Sequence, residues 1–200
     1  ELRLSLVGSE MCIRDRGMGG FAAFPGGLMA RLLSKPLVIH EQNSVAGLTN
    51  KLMSKIATRV LAAFPGAINK ALVLGNPVRA DIAMAASPEA RFAEHQGALN
   101  VLVVGGSLGA QALNDLIPQA LANIPQASRP VVIHQAGVKH IVALEANYKK
   151  HGVSADCRAF IDNMAEMYAQ ADFVICRAGA MTIAELSAVG LGSLLVPCLL

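Results

Sequence analysis

The stretch "VLVVGGSLGAQALND", Val101 to Asp115, decides how this chain is read. An apolar run of strand length meets two glycines, and a helical pattern follows. A helix start leaves backbone N–H groups unpaired and carries partial positive charge, so a strand–glycine–helix junction favours an anion such as phosphate. Glycine would also serve a tight turn that binds nothing, so the loop alone leaves both readings open. No Gly-Lys-Ser/Thr follows, which excludes a P-loop. A dinucleotide fingerprint fits poorly, because Ser107 takes the second glycine's place and Ala110 the last. That fingerprint also needs an acidic residue about 20 positions on to hold a ribose. Between Leu116 and Leu144 there is no Asp or Glu.

Outward from this loop the same grammar repeats. Apolar runs at 100–104, 130–134, 156–160, 173–176 and 193–197 alternate with helical stretches at 108–123, 138–151, 163–171 and 182–189. That alternation predicts parallel βαβ units wound on both faces of a sheet. An earlier block reads alike: strands at 36–40, 59–63 and 71–74, and a helix over 44–57. It has too few strands for a complete doubly wound sheet. Pro77, Pro88 and Gly97 punctuate the stretch between the blocks.

In a doubly wound sheet the first and fourth strands flank the point where strand order reverses, and ligands lie beyond their carboxyl ends. Here those ends are Gly105 and Arg177, so "FVICRAGAMTIAEL" (173–186) faces the glycine loop. Gly106 and Gly109 shape that loop, and Gly179 frees the turn after Arg177. Arg177 can neutralise phosphate, Ser107 can donate to it, and the helix start near Ala180–Thr182 adds oriented amides. Glu185 can accept from both hydroxyls of a ribose. Against this, Thr182-x-x-Glu185 has the form of a capping box, which would merely satisfy a helix start. In the first block, His40, Glu41, Gln42 and Asn43 form a polar cluster at a strand's carboxyl end, where α/β domains display their chemistry. The plain alternative makes Asn43 or Ser44 an N-cap and His40 a satisfied strand-end histidine.

Composition narrows the classes. The chain has 200 residues, 54% apolar, with a formal net charge of +3. No apolar run reaches the roughly 20 residues that span a bilayer. No basic cluster marks a nucleic-acid surface. Four scattered cysteines, Cys12, Cys157, Cys176 and Cys198, read as reduced thiols of a cytosolic protein. Residues 5–16, "SLVGSEMCIRDR", follow neither the strand nor the helix period and resemble a translated sequencing adapter. Residues 1–16 are expected to be adapter-derived or disordered, and the closing "CLL" is suspect on the same ground.

"GMGGFAAFPGGL", "HEQNSVAGLTNK", "GNPVR", "VLVVGGSLGAQALN", "FIDNM" and "CRAGAMTIAEL" occur in an order and spacing that resemble the MurG family, from about Gly17 to Pro197. The resemblance implies an α/β fold of GT-B type, two Rossmann-like doubly wound parallel-sheet domains, the first incomplete. Residues 17–79 would belong to the acceptor-side domain and 80–200 to the donor domain. It implies an inverting glycosyltransferase that moves GlcNAc from UDP-GlcNAc to the C4 hydroxyl of MurNAc in lipid I, giving lipid II, with no cofactor and no metal.

Carried over by motif, Asn43 and Arg79 would reach the donor, Ser107 would sit by the diphosphate, and Ile161 would present backbone to uracil. Ala180, Met181, Thr182, Ile183, Ala184 and Glu185 would line sugar and ribose, supported by Gly105, Gly106, Gly109, Arg177, Gly179, His40 and Glu41. The family's first strand and leading glycine loop, with its candidate base, have no counterpart here, so no catalytic residue is assigned. Nor is there a counterpart of its glutamine pair, and Leu108 replaces a common glutamine. The partners implied are UDP-GlcNAc, lipid I and, through the N-terminal domain, the cytoplasmic face of the bacterial inner membrane, with no nucleic acid. Competing readings are another GT-B sugar-nucleotide enzyme of epimerase type and a non-catalytic nucleotide-binding domain.

Overall fold

The computed structural model describes residues 15–17, 20, 23–93, 95–106 and 110–197, the first three as backbone only. The chain divides into two compact units, one ending at Pro77 and one beginning at Val78. The sequence placed this boundary after Arg79, so Arg79 belongs to the second unit.

The first unit holds β1 (Asp15–Gly17), α1 (Ala23–Leu32), β2 (Leu37–Glu41), α2 (Leu48–Met53), β3 (Arg59–Ala62) and β4 (Leu72–Val73). Among the described residues its four strands are parallel and lie in chain order, without the reversal of a doubly wound sheet. Leu37, Ile39 and Met53 form its core, with Phe24, Ile56, Val60 and Ile68 packed around them. Gly27 of α1 allows this packing: a Cβ there would sit 2.8 Å from Met53 Sδ.

Two features differ from the expectation. Asp15 and Arg16, in the stretch read as adapter-derived or disordered, pair with Leu37 and Val38. Main-chain pairing of so short a strand needs no side-chain period, so none was visible. Helix α2 begins at Leu48, not at residue 44, because Glu41 holds the preceding loop, as described below.

In the second unit α3 (Ala80–Ala83) and α4 (Pro88–Ala93) precede the sheet. Then come β5 (Asn100–Val104), α5 (Gln111–Ala122), β6 (Val131–Gln135), α6 (Ile141–Lys150), β7 (Asp156–Arg158), α7 (Met164–Gln170), β8 (Phe173–Arg177), α8 (Ala180–Val189) and β9 (Ser193–Val196). Among the described residues the five strands of this sheet are all parallel, in the order β7-β6-β5-β8-β9. This is the predicted doubly wound sheet. Adjacent residues of a strand face opposite ways, so Leu102 packs with Ile82, Tyr168, Val174 and Leu186. Val103 joins the opposite core, with Leu113, Val132, Leu144 and Tyr148.

Pro118 lies inside α5, buried. Its missing N–H deprives the Asn114 carbonyl of the helical partner four residues on. Asn147 of α6 supplies the donor instead, its Nδ2 lying 2.9 Å from that oxygen. The neighbouring helix thus repairs the defect, and α5 runs through the proline without ending.

Candidate functional site

Strands β5 and β8 are neighbours, with Val104 opposite Cys176, and sheet order reverses between them. The chain leaves β5 through Gly105, which is buried, and Gly106, whose φ of +83° only glycine adopts without strain. Ser107, Leu108 and Gly109 lie outside the described residues. The chain leaves β8 through Arg177, opposite Val196. Ala178 N–H then donates to Val196 O at 2.9 Å and Gly179 N–H to Arg177 O at 2.8 Å. The Arg177 Nε is buried without a hydrogen-bond partner. A cation and a glycine turn therefore stand at the carboxyl ends of adjacent strands.

Helix α8 settles one alternative. Its N-cap is Gly179, which supplies no side-chain cap. Thr182 is therefore the third helical residue and Glu185 the sixth, and the two do not form the capping box that their spacing allowed. A Cβ placed on Gly179 would lie 3.5 Å from Thr182 Oγ1, so that hydroxyl folds back over the helix start. Residues Ala180 to Glu185 are all half-buried. The Glu185 carboxylate accepts instead from Tyr168 Oη of α7, at 3.1 Å.

Ile161 follows β7 and is buried in the core that also holds Tyr168 and Leu186. Its side chain is committed to packing, leaving main chain as the part able to meet a ligand. Two residues on, Asn163 Oδ1 accepts from Glu166 N–H at 3.2 Å and its Nδ2 donates to Glu166 Oε2 at 3.0 Å, capping α7. Arg79 is the N-cap residue of α3 and is exposed, with a loose 3.7 Å ion pair to Asp81. Such a pair contributes little stability, so the guanidinium is free to turn to an anion.

The polar cluster of the first unit is organised around Glu41, only 3% exposed. Its Oε1 accepts from Asn43 N–H at 2.9 Å and Asn43 Nδ2 at 3.1 Å. Its Oε2 accepts from Gly47 N–H at 3.1 Å and Asn50 Nδ2 at 2.9 Å. Burial works against the charged carboxylate, but the donors from Asn43, Asn50 and Gly47 together hold its pKa below the ordinary range. By gathering these donors Glu41 draws residues 43–47 into a loop, and Asn43, expected either as a ligand contact or as an N-cap, does not cap a helix. Asn43 is exposed, with its backbone N–H and its amide nitrogen both committed to Glu41 Oε1.

His40 Nε2 lies 3.0 Å from Gly75 O, and Asn76 Nδ2 donates to Gln42 O at 3.0 Å. The "GNP" segment is thereby fastened to the end of β2. Sequence reasoning missed Asn50, Asn76 and Tyr168. Asn50 stands nine residues beyond Glu41 on a helical face, and its polarity at a core-facing position was the available signal.

Both described cysteines, Cys157 and Cys176, are free, and burial raises each thiol to about 11. Neither supplies a thiolate nucleophile near neutral pH. Among the described residues no cluster of His, Cys, Asp and Glu could hold a metal ion. No helix there is long and apolar enough to cross a membrane.

Residues 100–199 match the glycosyltransferase family 28 C-terminal domain, and residues 8–62 match the N-terminal domain of the same family. A UDP-N-acetylglucosamine--N-acetylmuramyl-(pentapeptide) pyrophosphoryl-undecaprenol N-acetylglucosamine transferase of Nitrosomonas europaea is 59% identical over 185 residues, 90% of this chain and 52% of that protein. Its Bordetella pertussis namesake is 58% identical over 181 residues, covering 90% and 51%. The crystal structure of Acinetobacter baumannii MurG superposes with a TM-score of 0.77 at 38% identity, covering 92% of this chain and 52% of that one. The chain spans about half the length of the curated relatives it matches. The expected α/β class, GT-B in type, is borne out by this likeness and by the two family 28 matches.

Proposed function

The chain belongs to glycosyltransferase family 28, and from that premise we propose that it is part of an inverting transferase that moves GlcNAc from UDP-GlcNAc to lipid I. The observation that carries this reading is the β5–β8 junction. There Gly105, Gly106 and Arg177 stand beside a helix whose N-cap, Gly179, carries no side chain, with Glu185 on its second turn. A diphosphate suits the cation and the oriented amides, and a ribose suits the carboxylate.

In the reaction, the C4 hydroxyl of the MurNAc unit attacks the anomeric carbon from the face opposite UDP. The bond from that carbon to the phosphate oxygen breaks, and UDP leaves with the electron pair. Arg177 and the α8 amides stabilise the charge that grows on the diphosphate, which lowers the barrier only in so far as they hold it better in the transition state. The hydroxyl proton passes to a base, and no described residue is assigned that role. Ser107 and Ile161 main chain hold diphosphate and uracil; Asn43, oriented by Glu41, and Arg79 complete the donor contacts. The donor is a substrate, and the reading requires neither a metal nor a further cofactor.

The parent enzyme works peripherally at the cytoplasmic face of the membrane, where a lipid-linked acceptor and a soluble donor meet. Exposed Leu28, Met29, Leu32 and Leu33 beside Arg31 and Lys35 support a membrane-facing surface on α1. Titration of UDP-GlcNAc, UDP-GalNAc and NADH, followed by an assay for lipid II, tests the reading. Binding of UDP-GlcNAc with discrimination against the other two is expected. Preference for NADH, or epimerised donor as the product, would replace it with one of the competing readings.

A further inference from the structure

We propose that Tyr168 is a positioning residue for the donor site, holding the Glu185 carboxylate so that its free oxygen meets the ribose of a nucleoside diphosphate sugar. The inference rests on the donor-site reading above and adds to it a residue that contacts no substrate.

Tyr168 is 1% exposed, and its ring is packed among Ile82, Leu102, Val174, Cys176 and Leu186. A ring so enclosed has one orientation, so its Oη is a fixed point at the edge of the core. From there it donates to Glu185 Oε2 at 3.1 Å. Among the described residues no other group is hydrogen-bonded to that carboxylate. A glutamate on a helix surface otherwise rotates freely about three side-chain bonds, and ordering it on binding would cost affinity. One anchored oxygen restricts the carboxylate's rotation and leaves Oε1 to accept from a sugar hydroxyl.

The donor role of the phenol is also secured. Burial first, then the neighbouring Glu185 charge and the hydrogen bond to it, raise the Tyr168 pKa, and the opposing influence of Arg79 does not reverse this. Tyr168 therefore stays protonated across the physiological range, and the contact persists.

The experiment titrates UDP-GlcNAc and its analogue lacking both ribose hydroxyls into the 200-residue chain and its variants by ligand-observed NMR. Tyr168→Phe removes one oxygen and keeps the ring in the core; a melting curve checks that the fold survives. The expected result is about ten-fold weaker binding of UDP-GlcNAc, the scale of a lost charge-assisted hydrogen bond. The dideoxy analogue should bind the variant and the parent chain alike. In a Glu185→Ala background the same substitution should have no further effect.

Unchanged UDP-GlcNAc binding, or equal weakening of both ligands, would overturn the positioning role. If the unsubstituted chain fails to bind UDP-GlcNAc, or does not distinguish it from the analogue, the donor-site reading itself fails and the proposal falls with it.

Discussion

Asn50 Nδ2 donates to Glu41 Oε2 at 2.9 Å, tying the first helical turn of α2 to the last residue of β2. Both residues are 3% exposed, so neither can turn to water for a replacement partner. Glu41→Gln should lower the stability of the first unit by about 1–3 kcal/mol, because an NH2 group would then face donors. Denaturant unfolding gives the loss, and faster hydrogen exchange at the Gly47 amide locates it. The contribution depends on acid in one direction. Since the folded carboxyl titrates below its ordinary 4.5, it is fully present above that pH and lost as pH falls through the lower folded value.

His134 supplies a second acid response. It is wholly buried, with Nδ1 2.9 Å from Tyr148 Oη, and burial lowers its pKa from 6.5 to about 4. The unfolded chain takes up this proton below about 6.5 and the folded chain only near 4. Stability of the second unit should therefore fall through that interval, by up to roughly 3 kcal/mol. Urea unfolding at pH 7 and pH 5 checks it. His134→Leu should flatten this slope while costing stability at both pH values, because Tyr148 Oη loses its partner.

Gly190 ends α8 with φ +65°, and a Cβ there would lie 2.7 Å from Pro88 Cγ. Gly190→Ala should destabilise the second unit by about 1–3 kcal/mol, from left-handed backbone strain plus displacement of α4. Arg91 Nη1 donates to Val189 O across the same junction at 3.1 Å. Arg91→Met in the Gly190→Ala background should then cost less than it does alone. A double-mutant cycle of melting curves reads that difference.

Thr182 and Glu185 separate cap from ligand. With Gly179 as N-cap, Thr182→Ala should change stability by less than about 0.5 kcal/mol, where loss of a true N-cap costs about 0.5–2. Glu185→Gln should weaken UDP-GlcNAc by about 1–3 kcal/mol. Thermal denaturation with and without donor measures both. A melting point lowered by Thr182→Ala to the extent of a lost cap would restore the capping box.

The sheet of the second unit was legible because parallel strands covered on both faces read as unbroken apolar runs, as at 100–104 and 173–176. The neighbouring of β5 and β8 followed from topology alone, since strand order fixes which strand ends lie side by side. Hydrogen bonds between side chains distant in sequence were not legible. Tyr168 reads as one more core-facing residue of an amphipathic helix, and nothing in its neighbours announces Glu185 as its acceptor. The same limit explains α2: the pattern from Ser44 onward suits a helix, yet one buried carboxylate outcompetes helical bonding for the Gly47 amide. Thr182 and Glu185 show the converse, a correct local motif displaced by a helix that starts two residues earlier.

The Asp172 carboxylate accepts from Asn100 N–H at 2.6 Å, a contact spanning 72 positions of chain at the start of the β5–β8 pairing. Gly105 and Arg177 end the two strands of that pairing, so they come together only once β8 has been made and paired with β5. A growing chain must expose residues through β8 and α8 before any nucleotide can be captured, and closing so long a loop is among the slower steps of folding. Donor binding would therefore report on the finished topology of this unit and remain silent during synthesis of everything before it.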